Sequence, residues 1–148
     1  MALTDLNIQV KEMAVGYGHY LAIGTDGSLY SWGLNSNGQL GLGDKTNRSN
    51  PTKVGTEVNW TKVTCGDYHS LALNDKGEVY GWGINNVAQS KPSYNATGFV
   101  SDDLVSPTKW VNPTSDAFYD FYNGPYLDIA ANGNCSLATT AVPNPRRR

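Results

Sequence analysis

The fold of this chain is decided by Gly66-Asp67-Tyr68-His69-Ser70-Leu71-Ala72-Leu73 and, after a turn, by Gly77-Glu78-Val79-Tyr80-Gly81-Trp82-Gly83. Fifty residues earlier the chain carries nearly the same sequence, from Gly16 to Ile23 and from Gly27 to Gly33. A partial third copy, Ile129 to Thr139, aligns with the second at an offset of 66. A self-similar period of about 50 residues is typical of propellers and solenoids, so the chain is predicted to consist of repeats.

The composition favours an all-β domain. Among 148 residues there are 16 Gly, nine Tyr and four Trp, and only 16% of the residues are charged, which is typical of short strands joined by turns. The net charge is −2, and the 11 basic residues include Arg146, Arg147 and Arg148. A nucleic-acid partner is not expected, because it normally requires a basic face. The arginine triplet is a candidate contact for phosphate or an acidic partner, or it is a solvated tail.

The same repeats divide the chain. Each full copy predicts antiparallel strands joined by a tight turn at Gly27 or Gly77, where glycine accepts a positive φ. The predicted parts are an N-terminal strand or arm (1–12), repeat 1 (13–62), repeat 2 with two loop insertions (63–128), half repeat 3 (129–140) and a basic tail (141–148).

No pattern in the sequence predicts chemistry. Paired carboxylates, a nucleophile with its base and metal-ligand spacing are not evident, so we expect no catalytic residue, no metal, no cofactor and no enzyme activity. The glycine-rich stretch 35–44 resembles a phosphate loop, but no helical pattern follows it, which favours a connector between repeats. Cys65 and Cys135 are expected to be packed, unbridged thiols. Neither a secretion signal nor a membrane span is predicted.

Two insertions distinguish repeat 2 from repeat 1. In repeat scaffolds, insertions map to loops and often to the binding face, and aromatic loops are typical of interface anchors. The alternative is that the aromatic side chains fold back and cover the open flank of the repeat. The candidate partner-binding residues are Tyr94, Phe99, Phe118, Tyr119, Phe121, Tyr122, Arg146, Arg147 and Arg148.

The pattern Gly-x-x-His-Ser-Leu-Ala-Leu, then Gly-x-Val-Tyr-x-Trp-Gly-x-Asn, then Gly-Gln-Leu-Gly-x-Gly closely resembles the repeats of the regulator of chromosome condensation family. Repeat 1 carries almost all of it, whereas repeat 2 has Ala88-Gln89-Ser90 in place of Gly-Gln-Leu-Gly. The third copy has Asn132 for the first Gly and Cys135 for His. The resemblance covers roughly residues 13–139. It implies one four-stranded blade per repeat, in a propeller that usually has about seven blades.

This resemblance predicts an all-β fold, a partial β-propeller of two four-stranded blades plus a half blade, completed by other subunits. It also implies scaffold roles within the blades. The expected scaffold residues are Gly16, His19, Gly27, Trp32, Gly66, His69, Gly77 and Trp82. The nucleotide-exchange factor, photoreceptor and enzyme inhibitor of this family use a full ring, so none of their activities transfers to single residues here.

An incomplete ring predicts association, because it leaves blade faces and strand edges open. We expect copies of the chain, a trimer in the first instance, to close a propeller. The predicted function is a non-enzymatic structural protein that decorates a large assembly, such as a phage capsid or tail. Its location would then be the virion, and otherwise the cytoplasm. The alternative is a stand-alone protein- or glycan-binding module that uses the aromatic loops; a nucleotide-exchange factor is less favoured.

Overall fold

The computed structural model describes residues 7–85, 94–95, 98–99, 102–110 and 125–140, and every regular element within these ranges is a β-strand. Over the same ranges, the chain contains no helix of the length and apolar character needed to cross a membrane. The strands are β1 (Val10–Val15), β2 (His19–Gly24), β3 (Leu29–Gly33), β4 (Arg48–Lys53), β5 (Trp60–Cys65), β6 (His69–Asn74), β7 (Val79–Gly83), β8 (Tyr94–Asn95), β9 (Gly98–Phe99), β10 (Leu104–Lys109), β11 (Tyr126–Asn132) and β12 (Cys135–Thr140).

These strands form two four-stranded antiparallel sheets and two hairpins. Blade 1 has the order β1-β2-β3-β4, and blade 2 has the equivalent order β5-β6-β7-β10. The hairpin β11-β12, here called the half-blade, repeats the first two strands of each blade. The small hairpin β8-β9 interrupts the connection from β7 to β10. The predicted all-β partial propeller of two blades and a half blade is confirmed.

The turns and strand starts follow the period of the sequence. Gly27 and Gly77 both have positive φ, +84° and +74°, at the turn after the second strand of each blade. A Cβ atom on Gly27 would also lie 1.9 Å from the carbonyl oxygen of Val58, so backbone approach and conformation both require glycine there. The first strand of each unit begins at residue 10, 60 or 126, each time three residues before the predicted repeat boundary.

The core lies between the sheets. Leu21 and Ile23 of β2 point towards blade 2 and are completely buried, and burial of such a side chain stabilises the fold by roughly 1.5–3 kcal/mol. The first core, between the two blades, consists of Leu21, Ile23, Leu29, Val54, Trp60, Val63, Cys65, Ala72 and Trp82. The second core, between blade 2 and the half-blade, consists of Leu71, Leu73, Val79 and Ile129.

The strand directions place the two insertions at opposite ends of blade 2. The first lies between β7 and β10, at the end where Gly83 pairs with Leu104. The second lies between β10 and β11, at the end where the amide of Trp110 bonds the carbonyl of Val79 and the amide of Tyr126 bonds that of Gly77. The described residues that flank the two insertions therefore lie at opposite ends of blade 2.

Candidate functional site

A buried histidine joins blade 1 to blade 2. The Nε2 atom of His19 lies 3.0 Å from the hydroxyl of Ser70, and that hydroxyl donates to the carbonyl of Gln39 at 2.8 Å. Since the serine proton is used on Gln39, the histidine Nε2 must carry the proton that it donates to serine. Burial lowers the pKa of His19 from 6.5 to about 4, which keeps the ring neutral. His19 is thus a neutral hydrogen-bond donor between blades.

The Gly-Gln-Leu-Gly loop of blade 1 also reaches blade 2. The carbonyl of Gln39 accepts a second hydrogen bond, from Nε1 of Trp82, at 2.8 Å. Gly41, with φ of +71°, lies so close to the same indole that a Cβ atom would be 2.9 Å from Nε1. The hydroxyl of Ser31 donates to the carbonyl of Leu40 at 2.7 Å and fixes the loop on its own blade. The motif therefore holds the tryptophan of the following blade.

The second junction repeats part of the first. His69 Nε2 lies 2.7 Å from the hydroxyl of Ser136 in the half-blade, and burial lowers the pKa of His69 to about 4. Gly16 and Gly66 pack against these rings: a Cβ atom would lie 2.1 Å from Cε1 of His19 and 2.0 Å from Cε1 of His69, respectively. The expectation that both histidines act within a blade is therefore wrong, because each ring bonds a serine of the following unit across a junction.

Blade 1 has one apolar sheet face that no described residue of another blade covers, here called the open face. Its cross-strand neighbours are Val15, Tyr20 and Trp32 in one row and Met13, Ala22 and Tyr30 in the next. Val15 is 61% exposed and Met13 is 50% exposed, whereas Ala22 beneath the larger side chains is completely buried. The rings of Tyr20 and Trp32 stack at 5.4 Å with 14° between their planes. An exposed apolar sheet face of this kind is typical of an interaction surface.

The equivalent face of blade 2 is buried against blade 1. At the matching positions, fifty residues later, Cys65 and Val63 replace Val15 and Met13, and they are only 8% and 6% exposed. Ser70 replaces Tyr20 and is completely buried. The open face is therefore a junction face without its preceding blade.

Open blade faces were expected from the incomplete repeats, but no residue of this face was among the candidate partner-binding residues, which were placed in the insertions and the basic tail. Tyr94 and Phe99 are paired positions of the hairpin β8-β9. The open face could have been found by aligning the repeats, since Tyr20 stands where Ser70 and Ser136 stand in the other two copies. The other candidate partner-binding residues lie outside the described ranges; they are Phe118, Tyr119, Phe121, Tyr122, Arg146, Arg147 and Arg148.

The described residues bring together no group of His, Cys, Asp and Glu side chains that would hold a metal ion. Both cysteines are free. Cys65 is buried, and burial raises the pKa of its thiol to about 12, as expected for a packed thiol. Cys135 is exposed, so the prediction that it is packed is wrong; it takes the histidine position on the outer side of the half-blade.

Comparison with known families places these junctions in context. A family model described as the regulator of chromosome condensation (RCC1) repeat matches residues 26–73, and a second model of this repeat matches residues 10–39 and 60–89. The chain belongs to the regulator of chromosome condensation repeat family. Together the matches run through blade 1 and into blade 2, the part of the chain in which the histidine, tryptophan and glycine contacts recur.

Among characterised relatives, the Ultraviolet-B receptor UVR8 of Arabidopsis thaliana is 47% identical over 47 residues, which are 32% of this chain and 11% of the receptor. The Ras guanine nucleotide exchange factor C of Dictyostelium discoideum is 47% identical over 45 residues, which are 30% of this chain and 3% of that protein. The similarity is thus confined to about one repeat of much longer proteins.

Two solved structures have the same arrangement of blades. Human WBSCR16 matches with a TM-score of 0.75 and 26% identity, over 95% of this chain and 33% of that chain. Prp20p of Saccharomyces cerevisiae matches with a TM-score of 0.73 and 24% identity, over 93% of this chain and 32% of that chain. The present chain spans about a third of these propellers, and at this identity Prp20p supports the fold alone.

Proposed function

We propose that this protein is a non-catalytic assembly module that binds propeller blades of other polypeptide chains through the open face of blade 1. The observation that carries the proposal is the contrast between two equivalent faces. Val63 and Cys65 are buried against a preceding blade, whereas Met13 and Val15, at the same repeat positions, are half or more exposed. The open face has the same repeat positions that pack against a neighbouring blade in the closed junction, so another blade is the partner that would bury it best.

Relatives support protein binding as the general role. A crystal structure shows Kap60 bound to yeast RCC1 (Prp20), and that match to this chain has 25% identity and a TM-score of 0.64 over 89% of this chain and 30% of that chain. Kap60 is a partner of the yeast protein, of which this chain covers 30%. What transfers as support is the use of RCC1-repeat propellers as protein-binding scaffolds.

The sequence-based prediction gives the most specific form of the proposal. In that form three copies of the chain close one ring, and the ring decorates a phage capsid or tail. The exposed apolar face supports the association step, whereas the ring of three copies and the virion location are carried over from the sequence-based prediction alone. The second candidate, a module that binds a protein or glycan through the aromatic insertions, places its contacts outside the described residues.

The proposal is tested by the mass of the native particle that contains this chain. A tagged protein isolated from its source should be part of a complex of fixed stoichiometry, larger than the 16.0 kDa chain. Val15→Asp should reduce the complex to the single chain, because it places a carboxylate in a desolvated junction. Val58→Asp is the matched control, since Val58 is 57% exposed and lies outside the open face.

The outcomes separate the candidates. A mass of about three chains would support the predicted homotrimer. If the Val15→Asp variant still formed the complex, the binding site would have to lie outside the open face. A monodisperse single chain of 16.0 kDa, isolated with both valines intact, would contradict the proposed function.

A further inference from the structure

A pair of tyrosines lies at one end of the junction between blades 1 and 2, outside the residues that define the open face. Tyr17 belongs to the turn between β1 and β2, and Tyr68 belongs to the equivalent turn between β5 and β6. Their ring centroids lie 5.5 Å apart, with 47° between the ring planes. Tyr17 is 71% exposed although blade 2 packs beside it. The turns of two neighbouring blades thus present an aromatic surface to solvent.

The repeat pattern does not account for this pair. The pattern leaves two positions open between its glycine and its histidine, and these positions hold Tyr17-Gly18 in repeat 1 and Asp67-Tyr68 in repeat 2. The tyrosine at the first open position of blade 1 meets the tyrosine at the second open position of blade 2. At the second junction the same two positions are Asp67 and Asn134. The aromatic surface therefore belongs to the first of the two described junctions and is not a repeated scaffold contact.

Backbone hydrogen bonds hold the turns of this surface in a row. The amide of Tyr17 donates to the carbonyl of Asp67 at 3.1 Å, and the amide of Asp67 donates to the carbonyl of Gly133 at 2.9 Å. Asp67 is thus bonded to one tyrosine and precedes the other in the chain. Because the turns on both sides hold the backbone of Asp67, a ligand would meet groups that are already positioned, which lowers the free-energy cost of binding.

The carboxylate of Asp67 adds a negative charge to the aromatic surface. Asp67 is exposed, and its side chain makes no ion pair with any residue in the part of the chain that the structure describes. By contrast, four other acidic residues are paired with lysine or arginine; they are Asp44, Glu78, Asp103 and Asp128. Burial lowers the pKa of His69 to about 4, and the charge of Asp67 opposes this lowering. An acidic group that no described basic residue neutralises therefore lies beside the two rings.

Leu34 extends the surface with an apolar side chain. Its amide donates to the carbonyl of Gly18 at 2.8 Å, and a Cβ atom on Gly18 would lie 2.5 Å from Cδ1 of Leu34. The leucine therefore lies directly against the turn that carries Tyr17, and it is 37% exposed. Aromatic rings attract a cation over their faces, and an apolar neighbour packs against the methylene stem of a long basic side chain.

Arginine is the side chain that fits these three kinds of group best. Its planar guanidinium stacks on aromatic rings and donates to a carboxylate through two N–H groups, whereas the ammonium of lysine is a point charge. We propose that Tyr17, Tyr68 and Asp67 bind an arginine side chain in a basic segment of a partner protein. The guanidinium packs on the tyrosine rings and donates to Asp67, and the methylene stem lies on Leu34. This site lies outside the open face, so the inference goes beyond the proposed function and can fail while that function stands.

The test uses a short fluorescein-labelled oligoarginine peptide as the probe and measures its binding to the full chain by fluorescence anisotropy at low salt. Tyr17→Leu and Asp67→Asn should each weaken binding by about threefold to fivefold, the size expected for an exposed cation–π or ion-pair contact. Tyr17→Phe should keep the affinity of the natural chain, because it retains the ring. Asp102→Asn is the matched control for charge, since Asp102 is also exposed but lies in the segment before β10.

Two further measurements distinguish a partner's arginine from other occupants. An oligolysine peptide of the same length should bind more weakly, since an ammonium group lacks the planar face that stacks on the rings. Replacing Arg146, Arg147 and Arg148 together by glutamine should change the affinity of the natural chain and of Tyr17→Leu by the same factor. A rise confined to the chain with Tyr17 would show that its own tail occupies the site, and would overturn the assignment to a partner. Equal binding of oligolysine, or undiminished binding by Tyr17→Leu and Asp67→Asn, would overturn the inference, because general charge attraction would then explain the binding.

Discussion

Blade 1 and blade 2 carry the same face in two different states. In blade 2 this face is covered by blade 1, and its tryptophan is completely buried with its indole hydrogen-bonded to Gln39. In blade 1 the corresponding tryptophan stacks on an exposed tyrosine instead. The repeat sequence thus fixes the shape of each blade, whereas the neighbour decides whether a given face belongs to the core or to the surface.

The comparison also distinguishes residues that stabilise a junction between blades from residues that stay on the surface, although both occupy the same repeat positions. A residue at an equivalent position has the same strand, register and side-chain direction in both blades. Its energetic contribution differs, because apolar stabilisation follows the area removed from water. The same mutation at matched positions of the two blades should therefore lower the free energy of unfolding by different amounts. The ratio of the two losses measures how completely each junction is closed.

The largest difference is expected at the tryptophan pair. Trp82→Ala should lower the free energy of unfolding by roughly 3–5 kcal/mol, since it removes a fully buried ring and leaves the Gln39 carbonyl short of a donor. Trp32→Ala should lower it by less than half as much, because this ring is only partly buried. Urea denaturation of the two variants checks the order. Equal losses would show that the open face is closed in solution.

The next effect is the dependence of stability on pH, which probes both junctions through their histidines. His19 and His69 have folded-state pKa values of about 4 because they are buried, whereas an unfolded histidine titrates near 6.5. The unfolded chain therefore binds more protons as the pH falls below 6.5, and stability that is complete above that pH is lost progressively down to about pH 4. The slope should be roughly 1.4 kcal/mol per pH unit for each histidine.

The two junctions can be compared by removing one histidine at a time. His19→Gln and His69→Gln should each reduce the slope of the unfolding free energy between pH 6 and pH 5 by about half, since the chain contains two histidines. The slope is measured from urea midpoints at closely spaced pH values. A slope that stays unchanged in His69→Gln alone would show that the half-blade does not keep that ring buried in solution.

The repeat period predicted most of the fold, and the limits of that prediction have a physical cause. Gly27, Gly77 and the strands that they join could be predicted because local turn chemistry and alternation are encoded within each repeat. The open face could not be recognised from one repeat alone, because Trp32 and Trp82 have closely similar sequence contexts and differ mainly in what packs against them. The alignment did contain a signal at Tyr20 and Cys135, where the serine and the histidine of the junction are replaced.

The smallest expected effect concerns the charges between the half-blade and blade 2. Lys62 and Asp128 form a salt bridge at 2.8 Å, but both side chains are exposed, and exposed pairs contribute little because water and salt screen them. Lys62→Gln should therefore shift the urea midpoint less than any variant above, and 1 M NaCl should abolish the difference from the natural chain. This variant tests whether Lys62 positions the half-blade without adding to the stability of the fold. In that case Lys62→Gln should keep the free energy of unfolding of the natural chain, while the backbone amide protons of the half-blade exchange with solvent faster than those of blade 1. Unchanged exchange in β11 and β12 would show that the other contacts, which include the apolar packing of Ile129 and the His69–Ser136 hydrogen bond, hold the half-blade in place.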